Sequence, residues 1–202
     1  LSIDPTRSRR ARLDQEAVLQ AAEALVDRDG YDALTMTSLA TELEARVSSL
    51  YNHVANLEDL RALIQVRAMR LLGDHVRKAA MGHAGLTGLR ALSHALRAFA
   101  RTHPQRYAAL TRPPIDREAF YAAALDAIEA LAVMVRSAGL PDDRLLQSAM
   151  ALFASLHGFV SLEVAGYFGD LSGTSAESLD LDQVYEQVID GAVSAASLEA
   201  TR

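Results

Sequence analysis

Apolar residues recur at helical spacing along nearly the whole chain, and no stretch alternates as a half-buried strand would. Val18, Leu19, Ala22, Leu25 and Val26 make the first series. Asp14 is placed to cap it, Gln15 and Glu16 suit its first turn, and Gly30 stops it. A short helix is predicted after Thr35, with Leu39, Ala40 and Leu43 on one side. After a break at Glu44-Ala45, a third short helix runs to Val54, and Leu57 to about Ala80 is one long helix. Gly82 and Gly85 mark the next boundary. The stretch 86–102 is amphipathic through Leu89, Leu92, Leu96 and Phe99, and His103-Pro104 ends it. A helical piece over 107–110 is stopped by Pro113-Pro114. Two long helices, about 116–137 and 142–167, are split by Gly139-Leu140-Pro141. A Gly/Ser-rich loop over 169–179 precedes a last helix carrying Val184, Val188, Ile189 and Val193. The predicted class is all-α. A three-helix N-terminal domain over 1–56 is joined by a long helix to a C-terminal helical bundle over 57–202.

Composition narrows the functional classes. Half of the 202 residues are hydrophobic and 23% are charged, which argues against disorder, and the absence of Cys excludes disulfides and thiolate metal sites. The first dozen residues are polar and basic without an apolar core, and no uninterrupted apolar run approaches the roughly 20 residues of a membrane span. The expectation is a soluble, cytoplasmic protein without a membrane partner. Net charge is −6, about −1 before residue 80 and −5 after it. Basicity is local, with Arg7, Arg9, Arg10 and Arg12 crowding the N-terminus as either a solvated arm or one that reaches phosphates. The six histidines are scattered, with no His-x-x-x-His pair, phosphate-cradling loop or nucleophile elbow, and Asp142-Asp143 after Pro141 suits a helix start. Neither enzyme activity nor a cofactor or metal is expected.

The third helix is informative because it is so short. Leu50 and Val54 mark its buried face, so Ser48 and Asn52 point away from the core with Ser49 near them, and Tyr51 and His53 sit on the flanks. A solvent-facing strip of hydroxyls and an amide, free of Lys and Glu, suits a helix laid in a major groove, with Tyr and His reaching phosphates on either wall. An ordinary connector helix is the other reading that geometry leaves open.

Resemblance adds to this. The run Gly30-Tyr31-Asp32-Ala33-Leu34-Thr35-Met36-Thr37-Ser38-Leu39-Ala40 resembles the first-helix exit and second-helix entry of the tetracycline-repressor-like transcriptional regulators. Leu50-Tyr51-Asn52-His53-Val54 resembles their recognition-helix ending, and Leu57-Glu58-Asp59-Leu60 the start of their connecting helix. The likeness covers about residues 12–65 without gaps. It implies a homodimeric repressor that binds double-stranded operator DNA and is released by a small-molecule effector. Carried over by position, it implies DNA contacts from Thr37, Ser48, Ser49, Tyr51, Asn52 and His53, with Thr35 capping the second helix near a phosphate. Arg46 could reach a guanine or a phosphate. Val47 lies near the core on the helical wheel, but at the base edges in the family pattern, where it could meet a thymine methyl. Two positions depart from the family: Glu44 stands where Gly is usual, and Leu57 where a phosphate-binding Lys is frequent. The arginine-rich arm could supply the missing phosphate contacts.

Downstream, His103-Pro104-Gln105-Arg106-Tyr107 and the run from Phe153 to Glu163 are similar to a subgroup of these regulators with a Trp ahead of a His-Gly pair; Phe153 stands at the Trp position. The resemblance implies effector binding and dimerisation by this half. From the residues alone, Leu146, Ala149, Phe153, Leu156, His157, Val160 and Val164 make one broad inward stripe. Ala154, Gly158, Ser161 and Ala165 make a small-residue line within about 40° on the wheel. A helix apolar nearly all round is buried on both sides, either between its own bundle and a partner subunit or inside a monomeric bundle. The dimer reading adds Val184, Val188 and Val193 from the last helix. The effector-pocket candidates are Phe99, Tyr107, Met134, Phe153 and His157, an aromatic and Met wall with one polar group; for His157 a satisfied core histidine is the competing reading. A helical ligand-binding or scaffold protein without DNA binding is the alternative function.

Overall fold

The computed structural model describes residues 13–139, 145–169 and 180–198. Within them the chain forms nine α-helices and one 3-10 turn, with no strand. The predicted break at Leu140-Pro141, the helix start at Asp142, most of the Gly/Ser loop and the N-terminal arginines lie outside the described residues.

The N-terminal headpiece is α1 (Gln15–Asp29), a 3-10 turn (Tyr31–Ala33), α2 (Met36–Glu42) and α3 (Val47–Leu50). Asp14 caps α1, accepting from the Ala17 N–H at 2.8 Å, and Gly30 leaves it at φ 95°. Thr35 and Ser38 form a reciprocal capping box on α2, worth about 1 kcal/mol for the Thr35 side chain. The exit from α2 is a Schellman motif: Ala45 N–H donates to the Ala40 carbonyl at 2.9 Å and Glu44 N–H to that of Thr41 at 3.1 Å. Glu44 therefore sits at φ 48°, the one non-glycine with positive φ among the described residues. A side chain there costs about 1–2 kcal/mol that glycine would avoid, less the backbone entropy glycine loses on folding. Glu44→Gly is expected to raise the unfolding free energy by up to about 1 kcal/mol in a urea titration; a less stable variant would show that the Glu44 side chain holds something in place.

α4 (Leu57–Ala80) is about 36 Å long and belongs to both halves. Its first turns contribute Leu60 and Ile64 to the headpiece core, together with Leu39, Leu50 and Ala109, while Leu72, Val76 and Ala80 enter the core of the body. That body consists of α5 (Gly85–Thr102), α6 (Pro104–Leu110), α7 (Arg117–Ser137), α8 (Leu145–Val164) and α9 (Leu181–Leu198). Pro104, expected only to end α5, also opens α6: its missing N–H is no loss in a first turn.

α8 differs from its predicted orientation. Its core face is Leu152, Leu156, Phe159 and Val160, whereas Leu146 is 74% and Phe153 41% exposed. The rotation is set by Phe159, whose ring packs 5.1 Å from that of Tyr185 on α9 and 5.3 Å from Phe168. By length and mean hydropathy (1.5) α8 could cross a membrane, the one such helix among the described residues; one of its faces lies in the core of this bundle.

α9 is held against α5 by polar contacts. The Tyr185 hydroxyl donates to the Ser93 carbonyl at 2.6 Å. Arg90 pairs with Glu186 and Asp190, His94 with Glu186, and Arg97 with Asp182. Arg97 also grips Glu163 of α8 with two hydrogen bonds, at 2.6 and 2.8 Å.

Candidate nucleic-acid interface

α2 and α3 pack on each other across the Glu44 turn, and α3 continues past Leu50 as a series of turns closed by hydrogen bonds from the N–H groups of Asn52, His53 and Val54. Leu50 and Val54 are buried and anchor the segment to the headpiece core. The opposite side carries Ser48, Asn52 and Tyr51, all exposed, with Ser49 and His53 half-buried at the margins. Thr35 and Thr37 are exposed at the start of α2, and Arg46 is exposed at the start of α3. None of the predicted residues is fully buried: Thr35, Thr37, Arg46, Ser48, Tyr51 and Asn52 are exposed, and Val47, Ser49 and His53 are half-buried. Val47 is half-buried against the headpiece core, which favours its packing role over the base-edge role. Leu57 also packs there, so this position carries no phosphate-directed cation.

The headpiece is poor in positive charge. Between residues 13 and 60 ten carboxylates face two arginines. Arg28 is paired with Asp29 of its own helix and with Glu42 of α2. Arg46 has no ion pair among the described residues and lies next to the polar strip.

In the body, Tyr107, Phe153 and His157 come together. The Tyr107 hydroxyl lies 2.7 Å from His157 Nδ1, and the Phe153 ring stacks on the imidazole at 5.3 Å. Burial lowers the His157 pKa and raises that of Tyr107, which disfavours charge on either ring of this hydrogen-bonded pair. This is the geometry of a satisfied histidine. Phe99 and Met134 lie in the same core; Phe99 contacts the rings of His75 and His103, and the Met134 sulfur fills the space beside Gly88. Two clefts open elsewhere, one of about 740 Å³ between α5 and the start of α9 and one of about 450 Å³ between α1 and α4. Neither takes in any of the five pocket candidates.

The small-residue line on α8 faces outward. Ala154, Gly158 and Ala165 are exposed, Ser161 is half-buried, and a side chain at Gly158 would meet nothing within 4 Å in this chain. Val184 and Val188 sit instead at the rim of the body core. The core residues of α9 are Tyr185 and Ile189. Tyr185 escaped the sequence reading, although its i, i+4 spacing from Ile189 was the available signal.

Two short helices joined by a tight turn, the second anchored by two buried residues and presenting a polar strip, define a helix-turn-helix DNA-binding regulator. Residues 89–191, just over half the chain, match the family described as tetracyclin repressor-like, C-terminal domain. A helix-turn-helix-type transcriptional regulator of Mycobacterium tuberculosis is 33% identical over 184 residues, covering 90% of this chain and 81% of the relative. The tetracycline repressor protein class D of Escherichia coli is 40% identical over 65 residues, 32% of this chain and 28% of that protein. Among solved structures, ActR of Streptomyces coelicolor in complex with (S)-DNPA superposes with a TM-score of 0.68 at 21% identity, covering 94% of this chain and all of that one. A Rhodococcus protein of unknown function superposes at 0.74 with 18% identity, covering 94% and 98%. The chain belongs to the tetracycline-repressor-like family of transcriptional regulators.

Proposed function

We propose that this regulator is a homodimeric repressor that binds a palindromic operator through Thr35, Thr37, Arg46, Ser48, Ser49, Tyr51, Asn52 and His53, and is released from it by a small molecule bound in the body. The observation that carries this reading is the uncharged polar strip on α3 and the turns after it, set opposite the buried Leu50 and Val54. Short polar side chains let the backbone approach base edges, which places Ser48, Ser49 and Asn52 at bases and Tyr51 and His53 at phosphates. The N-terminal arginines Arg7, Arg9, Arg10 and Arg12 supply phosphate contacts that the acidic headpiece lacks. Residues 1–56 act as the DNA-binding unit and 57–202 as the effector and dimerisation unit, with the first turns of α4 shared between them.

The effector site centres on Phe153, His157 and Tyr107, with Phe99 and Met134 in the same core; side chains of these types would take an apolar effector with one polar group. In the dimer, Ala154, Gly158, Ser161 and Ala165 meet the partner, with Val184 and Val188 alongside. On this reading the protein acts on DNA in the cytoplasm, without enzyme chemistry and without a membrane partner.

Selection of bound DNA from a random pool tests the proposal. The expected product is a palindrome with half-sites about one helical turn, roughly 34 Å, apart. Asn52→Ala should relax base preference at one position per half-site by about 1–3 kcal/mol and leave the others unchanged. A pool that enriches no palindrome would favour the helical scaffold reading, for which the acidic headpiece is the specific observation.

A further inference from the structure

Besides its covalent continuation into α4, the headpiece is held from a second side. Arg106 of α6 pairs with Asp27 of α1 at 2.7 Å. Arg112, in the connector between α6 and α7, meets Asp32 of the 3-10 turn at 2.5 Å, and its guanidinium carbon lies 5.2 Å from the centre of the Tyr31 ring. Arg61 of α4 lies 5.4 Å from the same ring and donates to the Leu34 carbonyl at 3.3 Å.

The connector that delivers Arg112 is stiff. Pro113 and Pro114 fix their own φ angles, and Pro113 restricts Arg112 as well. Buried Gln65 of α4 ties the connector down: its amide donates to the carbonyls of Ala109 and Pro113 at 3.1 and 3.4 Å and accepts from the Ile115 N–H at 3.0 Å. The turn that Arg112 grips, Tyr31–Ala33, leads within two residues into Thr35, where the helix-turn-helix begins.

We propose that Arg112 is a positioning residue for DNA recognition: its pair with Asp32 and its contact with Tyr31 set the angle at which the headpiece leaves the body. This rests on the operator reading above, because in a dimer that angle determines the spacing of the two recognition segments. Arg112 and Asp32 are 44% and 76% exposed, so their pair adds little to folding stability. An orienting role is therefore separable from a stabilising one.

In Arg112→Gln, operator affinity should fall about fivefold or more, because the competent orientation is populated for a smaller fraction of the time. The urea midpoint should stay in place, and so should the slope of log affinity against log salt. Arg112→Lys keeps a charge for Asp32 but loses the flat group on Tyr31, and should recover part of the loss. Unchanged or higher affinity overturns the proposal. So does a salt slope reduced by about 0.9, the mark of a direct phosphate contact, or a drop in midpoint that accounts for the lost affinity.

A readout without DNA separates this proposal from the operator reading. The chain has no cysteine, so Thr41→Cys on α2 and Glu129→Cys on α7, both exposed, can carry spin labels in molecules diluted with unlabelled protein. The headpiece-to-body distance distribution should broaden in Arg112→Gln. An unchanged width overturns the proposal. A wild type that binds no palindrome, with the broadening still present, counts against the operator reading alone.

Discussion

Arg97→Met is expected to lower the unfolding free energy by about 3–5 kcal/mol, the usual cost of removing one member of a buried ion pair. Arg97 and Glu163 are 7% and 11% exposed. Their two hydrogen bonds join α5 to α8, a third contact reaches Asp182 on α9, and the guanidinium lies 4.8 Å from the Tyr185 ring centre. Methionine fills a similar volume, so the loss comes chiefly from leaving the Glu163 carboxylate desolvated and alone. Arg90→Met provides the control, since its partners Glu186 and Asp190 are 41% and 59% exposed and such pairs contribute about 0–1 kcal/mol. Urea titrations at one fixed protein concentration give both values. Changing Glu163 to Leu in the Arg97→Met background should return much of the stability, because an apolar pair replaces a charged one at little net cost. An Arg97→Met protein within 1 kcal/mol of wild type would mean that Glu163 finds water or another partner.

Gly158→Leu is expected to leave the chain helical by circular dichroism while shifting it toward monomer in sedimentation and weakening operator binding. Within one chain the added side chain would project into open space, and leucine favours a helix more than glycine does. In the proposed dimer the cost falls on the contact between subunits, by about 1–3 kcal/mol, roughly 5- to 150-fold in the dimer constant. Neighbouring positions fit a surface that meets a partner: Leu146, Met150 and Leu162 are exposed and apolar, and the one charged side chain on α8, Glu163, is engaged by Arg97. Operator affinity should drop with the dimer, because two linked half-site contacts become two separate ones. A Gly158→Leu protein that stayed dimeric and bound DNA normally would place the interface elsewhere. A wild type that sedimented as a monomer at micromolar concentration would also undercut the palindrome.

Several of the helices were legible because they carry their own punctuation. Asp14 and Thr35 act as caps through their own side chains, and Gly30 sits at positive φ, so local chemistry alone locates these ends. The polar strip around Ser48 and Asn52 was legible for a related reason: a segment anchored by Leu50 and Val54 has one outer side whatever it packs against. Glu44 shows the same logic in reverse. The turn demands positive φ, so a residue other than glycine there marks a local strain that can be foreseen.

What sequence periodicity left open was decided by contacts between distant residues. α8 is apolar on most of its circumference, so its pattern pointed to an inward stripe that the packing then rotated; Phe159 against Tyr185 and Glu163 against Arg97 fixed the face. The acidic spacing of Asp182, Glu186 and Asp190 and the basic spacing of Arg90, Arg97 and Arg101 are both present in the sequence, but only their docking reveals one interface. Likewise Tyr107 and His157 are fifty residues apart and meet at 2.7 Å. Helix type and helix ends depend on residues within a turn or two of each other, and those the sequence by itself determined. Which face is buried, and which charges find partners, depends on the free energy of the whole packed arrangement, and only the tertiary structure settled that.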